Sequence, residues 1–113
     1  MLPSMEKRIE KRRYERVKVS VNINWGMTRD CVNDGRVTSI SLGGCFVQTS
    51  YKLLSDQIVF VRLFFKTELI LLSRIRYVLL DIGAGVEFIG MTEEEKLALQ
   101  ELIEYYKRET AAT

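Results

Sequence analysis

The chain of 113 residues is 47% hydrophobic and 28% charged, the size and make-up of a single compact domain. Its 17 Lys and Arg against 15 Asp and Glu leave a formal charge of +2, too little for a polyanion binder that works with its whole surface. With no His, the commonest general base and metal ligand are missing, and two cysteines, Cys31 and Cys45, cannot supply a disulfide framework or a four-thiolate zinc site.

Residues 1–15 are polar and charged with little to bury, and they predict a flexible basic arm. Residues 1–18 hold seven basic and three acidic groups, so this end carries +4 and the remainder −2. From Val17 the pattern becomes strict alternation: Val17, Val19, Val21, Ile23 and Trp25 are separated by polar residues, the period of a half-buried strand. Asn33-Asp34-Gly35 reads as a turn, because these residues tolerate positive φ, with a second strand over 36–40. Ser41-Leu42-Gly43-Gly44 breaks that run before a strand over 45–49. Stretches 58–65 and 68–77 are β-branched and aromatic around a short Lys66-Thr67 connection, and 78–89 holds the last strand.

Six short strands without intervening helices predict antiparallel pairing, and closure into a small barrel removes the exposed edges. Leu99, Leu102, Ile103 and Tyr106 then recur at helical spacing behind the capping box Thr92-Glu93-Glu94-Glu95, which predicts a C-terminal α-helix over about 93–108. Its apolar stripe must cover an open face of the barrel or pair with a second protomer, as a weak homodimer. The expected organisation is therefore the arm over 1–15 and a mainly β, six-stranded antiparallel barrel with its helix over 16–113. Apolar runs reach only four residues, as over 69–72, so neither a membrane span nor a secretory leader is expected; a reducing cytoplasm is the simplest setting.

Two segments carry recognition chemistry. Arg12-Arg13-Tyr14-Glu15-Arg16 lies where the arm meets the barrel, and Ser39-Ile40-Ser41-Leu42-Gly43-Gly44 is a turn rich in hydroxyls and in backbone amides that glycine leaves open. A guanidinium fork matches phosphate oxygens and also the O6 and N7 edge of guanine. A guanine-bearing phosphodiester uses both abilities. An enzyme is not expected: the acidic residues are scattered, no glycine-rich phosphate loop opens a helix, and neither a cofactor nor a metal site can be assembled.

Arg12-x-x-x-Arg16 directly before Val17, Ser39-x-Ser41-x-x-Gly44 after the second strand, and Gly85-Val86-Glu87-Phe88 before the helix stand in the order and spacing of PilZ domains, and the chain resembles a stand-alone member over nearly its whole length. The resemblance implies a non-catalytic receptor for the bacterial second messenger cyclic di-GMP, with outputs in motility or biofilm formation through a protein partner. It implies that Arg12 and Arg16 contact guanine edges and phosphates, that Ser39 and Ser41 hydrogen-bond the ligand, and that Gly44 admits its close approach. Lys11, Arg13 and Gly43 would assist, and Tyr77 would stack on a base. The pattern departs at Ser39, where the family carries Asp or Asn. A lost charge-assisted hydrogen bond there costs about 1.5 to 3 kcal/mol, roughly tenfold to a hundredfold in affinity. Two other readings stay open: a PilZ-like adaptor of type IV pili or motility that binds no nucleotide, and a small nucleic-acid-binding barrel. The last is disfavoured because the basic residues cluster on a tail instead of alternating with aromatics on a sheet.

Overall fold

The computed structural model describes residues 14–112, with side chains through residue 109. The alternation that begins at Val17 forms strand β1 (Val17–Gly26), followed by β2 (Asn33–Ile40), β3 (Gly44–Gln48), β4 (Ile58–Phe65), β5 (Thr67–Leu79) and β6 (Gly83–Phe88), then helix α1 (Glu93–Ala112). All neighbours pair antiparallel in the order β1-β2-β3-β6-β5-β4, and β4 pairs back onto β1 to close the barrel. The thirteen residues of β5 make closure feasible, since residues 67–74 pair with β4 and residues 73–79 with β6.

The inward side chains, among them Ile23, Trp25, Val37, Val61, Leu71, Ile75 and Val86, form one buried cluster. Leu99, Leu102 and Ile103 of α1 belong to that same cluster, so the apolar stripe of the helix covers the barrel. Of the two placements expected for it, this is the first. None of the described helices is long and apolar enough to cross a membrane.

One local expectation is corrected. Asn33-Asp34-Gly35 is not a turn; it lies inside β2, opposite Trp25, Asn24 and Ile23. The reversal falls at residues 27–32, where Cys31 takes φ 48° and its amide donates to the Thr28 carbonyl at 3.1 Å. Packing explains the glycine: a Cβ on Gly35 would lie 3.0 Å from Val47 Cγ1 and 3.1 Å from Trp25 Cδ1. Asp34 accepts from Asn24 Nδ2 at 3.0 Å across the ladder, a polar cross-strand pair in place of a turn contact.

The capping box forms as its sequence predicts. Thr92 N donates to Glu95 Oε1 at 3.0 Å, and Glu95 N donates to Thr92 Oγ1 at 3.1 Å. Thr92→Ala removes one half of this exchange and is expected to lower stability by about 1 kcal/mol. A urea titration followed by far-ultraviolet circular dichroism measures it; an unmoved midpoint would show that packing alone holds the first turn.

Candidate functional site

Three ladder irregularities interrupt the barrel, between Lys18 and Val21, Val37 and Ser39, and Ile75 and Tyr77. A bulge adds a residue to one strand and re-aims its side chains. At the second irregularity both Thr38 and Ser39 leave the core; at the third both Arg76 and Tyr77 are exposed in succession, where alternation would have turned Tyr77 inward beside Ile75. The third departure supplies Arg76 and Tyr77 to the outer wall of one concavity.

Its floor is the β2–β3 turn. Ser41 is buried and holds the turn from inside: its Oγ accepts from Gly43 N at 3.1 Å and donates to the Gly44 carbonyl at 3.4 Å, while its amide donates to that carbonyl at 2.8 Å. Phe88 N donates to the Gly43 carbonyl at 2.9 Å, which fastens the turn to the end of β6. A Cβ on Gly44 would collide with the Val86 carbonyl, so here glycine serves the close approach of strand β6. The Ser41 hydroxyl likewise shapes the turn.

Arg16 enters from the root of the arm, and its Nη1 donates to Ser39 Oγ at 3.4 Å. Next to it, the Tyr14 ring lies over Gly43, where a Cβ would come within 2.9 Å of Cδ2. Glu15 turns the other way and accepts from Lys107 Nζ at 3.0 Å, tying the arm's root to α1. On the far wall the Tyr77 ring covers Gly85, its partner in the ladder, with Phe46 tilted beside it at 6.3 Å between centroids. Arg76 Nη1 lies 3.4 Å from Glu87 Oε1.

The concavity so enclosed measures about 310 Å³ and is lined by Tyr14, Arg16, Ser41, Gly43, Gly44, Arg76, Tyr77, Gly85, Val86 and Glu87. That lies at the small end of the roughly 300 to 1,000 Å³ typical of small-molecule sites. Two guanidiniums against one carboxylate leave this described lining positive, and the open Tyr77 face offers a ring for stacking.

Of the residues singled out in the sequence, Arg16, Ser41, Gly43, Gly44 and Tyr77 meet here, and Ser39 joins them through Arg16. Lys11, Arg12 and Arg13 lie outside the described residues. Sequence reasoning missed Tyr14, Arg76 and Glu87 as site residues. Tyr14 sits within the arginine motif and Glu87 within the Gly85-Val86-Glu87-Phe88 signature, so both had a signal; Arg76 had only its place beside Tyr77.

Cys45 lies in the barrel wall near Arg16. Burial pushes its thiol from the ordinary 9.0 up to about 12, opposed only in part by the Arg16 charge, and burial also raises Cys31. The unfolded chain deprotonates first, so the Cys45 contribution to stability is complete below pH 9 and is lost as the pH rises toward 12. Both cysteines are free. Neither is expected to react with Ellman's reagent at pH 8 in the native protein, and both should react after unfolding in guanidinium. Rapid native reaction of either thiol would contradict this packing.

A family model for the PilZ domain matches residues 10–105, which takes in both sequence motifs, the barrel and most of the helix. The chain belongs to the PilZ family. The PilZ domain of CeSA from a cellulose-synthesizing bacterium superposes with a TM-score of 0.66 at 20% identity, covering 82% of this chain and 98% of that one. The PilZ domain of YcgR from Escherichia coli, solved with cyclic di-GMP, gives 0.69 at 15% identity, covering 88% and 94%. YcgR from Escherichia coli in complex with cyclic di-GMP gives 0.69 at 18% identity; it matches 90% of this chain but only 48% of its own, so this PilZ chain spans about half of it. No curated protein sequence matches.

Proposed function

We propose that this PilZ domain is a receptor for cyclic di-GMP. The observation that carries the reading is the convergence of Arg16, the Ser41-to-Gly44 turn, Arg76 and Tyr77 on one positive concavity. Structures of the same fold with cyclic di-GMP bound support it. The doubly charged phosphodiester ring would be held by the Arg16 and Arg76 guanidiniums, with one guanine against the exposed Tyr77 face. Arg12, four residues before Arg16, would close on the ligand from outside, helped by Lys11 and Arg13.

Binding would order residues 1–13 across the concavity. A protein partner that distinguishes the ordered from the free arm would then receive the signal, in the cytoplasm. Because Tyr14 lies over the turn and Glu15 pairs with Lys107 of α1, such ordering would reach both the turn and the helix. The role is one of binding, with no reaction assigned to it.

Isothermal titration of the full chain with cyclic di-GMP, and with cyclic di-AMP as control, tests the reading. Saturable binding of the first alone supports it, and the absence of binding by either overturns it. The second outcome would favour the nucleotide-free adaptor, for which Ser39 speaks: its single hydroxyl replaces a carboxylate and already accepts from Arg16.

A further inference from the structure

Guanine differs from adenine on its Watson–Crick edge, where N1–H and the 2-amino group form two adjacent donors. Arginines can read O6, N7 and phosphate, but they cannot accept a hydrogen bond. A site that selects guanine needs an acceptor, best a pair of oxygens in one plane.

The lining offers few. The Ser41 hydroxyl and the Gly43 and Gly44 carbonyls are taken up within the turn and by Phe88. Val86 lies in the β3–β6 ladder, opposite Cys45. Tyr14 and Tyr77 carry one phenolic oxygen each. Among the described residues of the lining, Glu87 holds the only carboxylate.

Its position suits the task. Glu87 follows Gly85 by two residues on β6, so both face outward on the same side, roughly 7 Å apart. The Tyr77 ring itself covers Gly85, so a purine stacked on the outer face of that ring would have its edge within reach of the carboxylate. The existing partner is weakly held: Arg76 and Glu87 meet at 3.4 Å, with 56% and 45% of their side chains exposed, and such pairs contribute little. Arg76 would also offset the Glu87 charge toward the phosphates of a bound dinucleotide.

We propose that Glu87 is the residue that reads guanine in this chain, accepting N1–H and the 2-amino group of one base in a bidentate pair. The assignment rests on the receptor reading above. It also gives the site a carboxylate, from a different strand than the one on which Ser39 stands.

The test is titration of the full chain and of Glu87→Gln and Glu87→Ala with cyclic di-GMP and cyclic di-IMP, whose hypoxanthine lacks the 2-amino group. The parent should prefer cyclic di-GMP by roughly tenfold; Glu87→Ala should bring that ratio close to one while weakening cyclic di-GMP roughly tenfold to a hundredfold, and Glu87→Gln, whose one amide oxygen still accepts, should fall between. Unchanged melting temperatures confirm that this exposed position leaves the fold intact. Arg16→Ala, run alongside, should weaken both ligands alike. A ratio that survives in Glu87→Ala, or tighter binding by either variant, overturns the assignment while leaving the receptor reading in place. A parent chain that binds neither dinucleotide overturns the receptor reading itself.

Discussion

Gly44→Ala is expected to destabilise the barrel by about 3 kcal/mol, the upper end of what overpacking costs, and to lower the melting temperature on the order of 10 °C. The added Cβ would run into the Val86 carbonyl and would also lie 3.1 Å from Val86 C and 3.2 Å from Glu87 Cα. All three obstacles are backbone, so no side chain can swing aside. The start of β3 must move away from β6, and the Ser41 N to Gly44 carbonyl and Phe88 N to Gly43 carbonyl bonds go with it. Gly43→Ala is the control. There the three atoms nearest the new Cβ all belong to side chains, the closest being Tyr14 Cδ2 at 2.9 Å, so no strand has to move. Thermal melts of the two variants decide: equal melting temperatures would mean that the spacing of β3 and β6 is not set by Gly44.

Arg16→Ala should leave the melting temperature where it is and weaken cyclic di-GMP by roughly tenfold to a hundredfold. Arg16 precedes β1, is exposed, and makes its described hydrogen bond to Ser39 at a long 3.4 Å, so the fold depends little on it. For a phosphodiester its guanidinium is one of two described cations in the concavity. Arg16→Lys should recover only part of the loss, since an ammonium restores the charge but not the planar fork. Titrations at one fixed salt concentration measure both variants. Full affinity in Arg16→Ala would remove this residue from the site.

The parts of the fold that were legible in the sequence are those with local causes. The alternation from Val17 to Trp25 produced β1, and the Thr92–Glu95 pair produced both bonds of the helix cap. The Asn33-Asp34-Gly35 segment misled because its residues suit a turn, whereas Gly35 is required by the Trp25 and Val47 side chains, contacts that exist only once three strands have paired. The site divides the same way. Arg16 and the 39–44 turn belong to short motifs at fixed spacing. Arg76 and Glu87 are brought beside them by the pairing of β5, β6 and β3 and by the irregularity between Ile75 and Tyr77, which no stretch of local sequence encodes. Ser39 is the residue whose meaning changed most: read as a missing carboxylate, it is found holding Arg16, while the carboxylate of the concavity comes from β6.

A guanine dinucleotide is expected to bind between the root of the arm and the outer face of β3, β5 and β6. Titration of the ¹⁵N-labelled full chain with cyclic di-GMP, followed by amide correlation spectra, tests it most directly. Shifts are expected at Arg16, Gly43, Gly44, Tyr77, Gly85 and Glu87, with the β1–β2 loop over 27–32, at the other end of β2 from the 41–44 turn, left unmoved. Shifts confined to that loop, or an unaltered spectrum at saturating ligand, would contradict it.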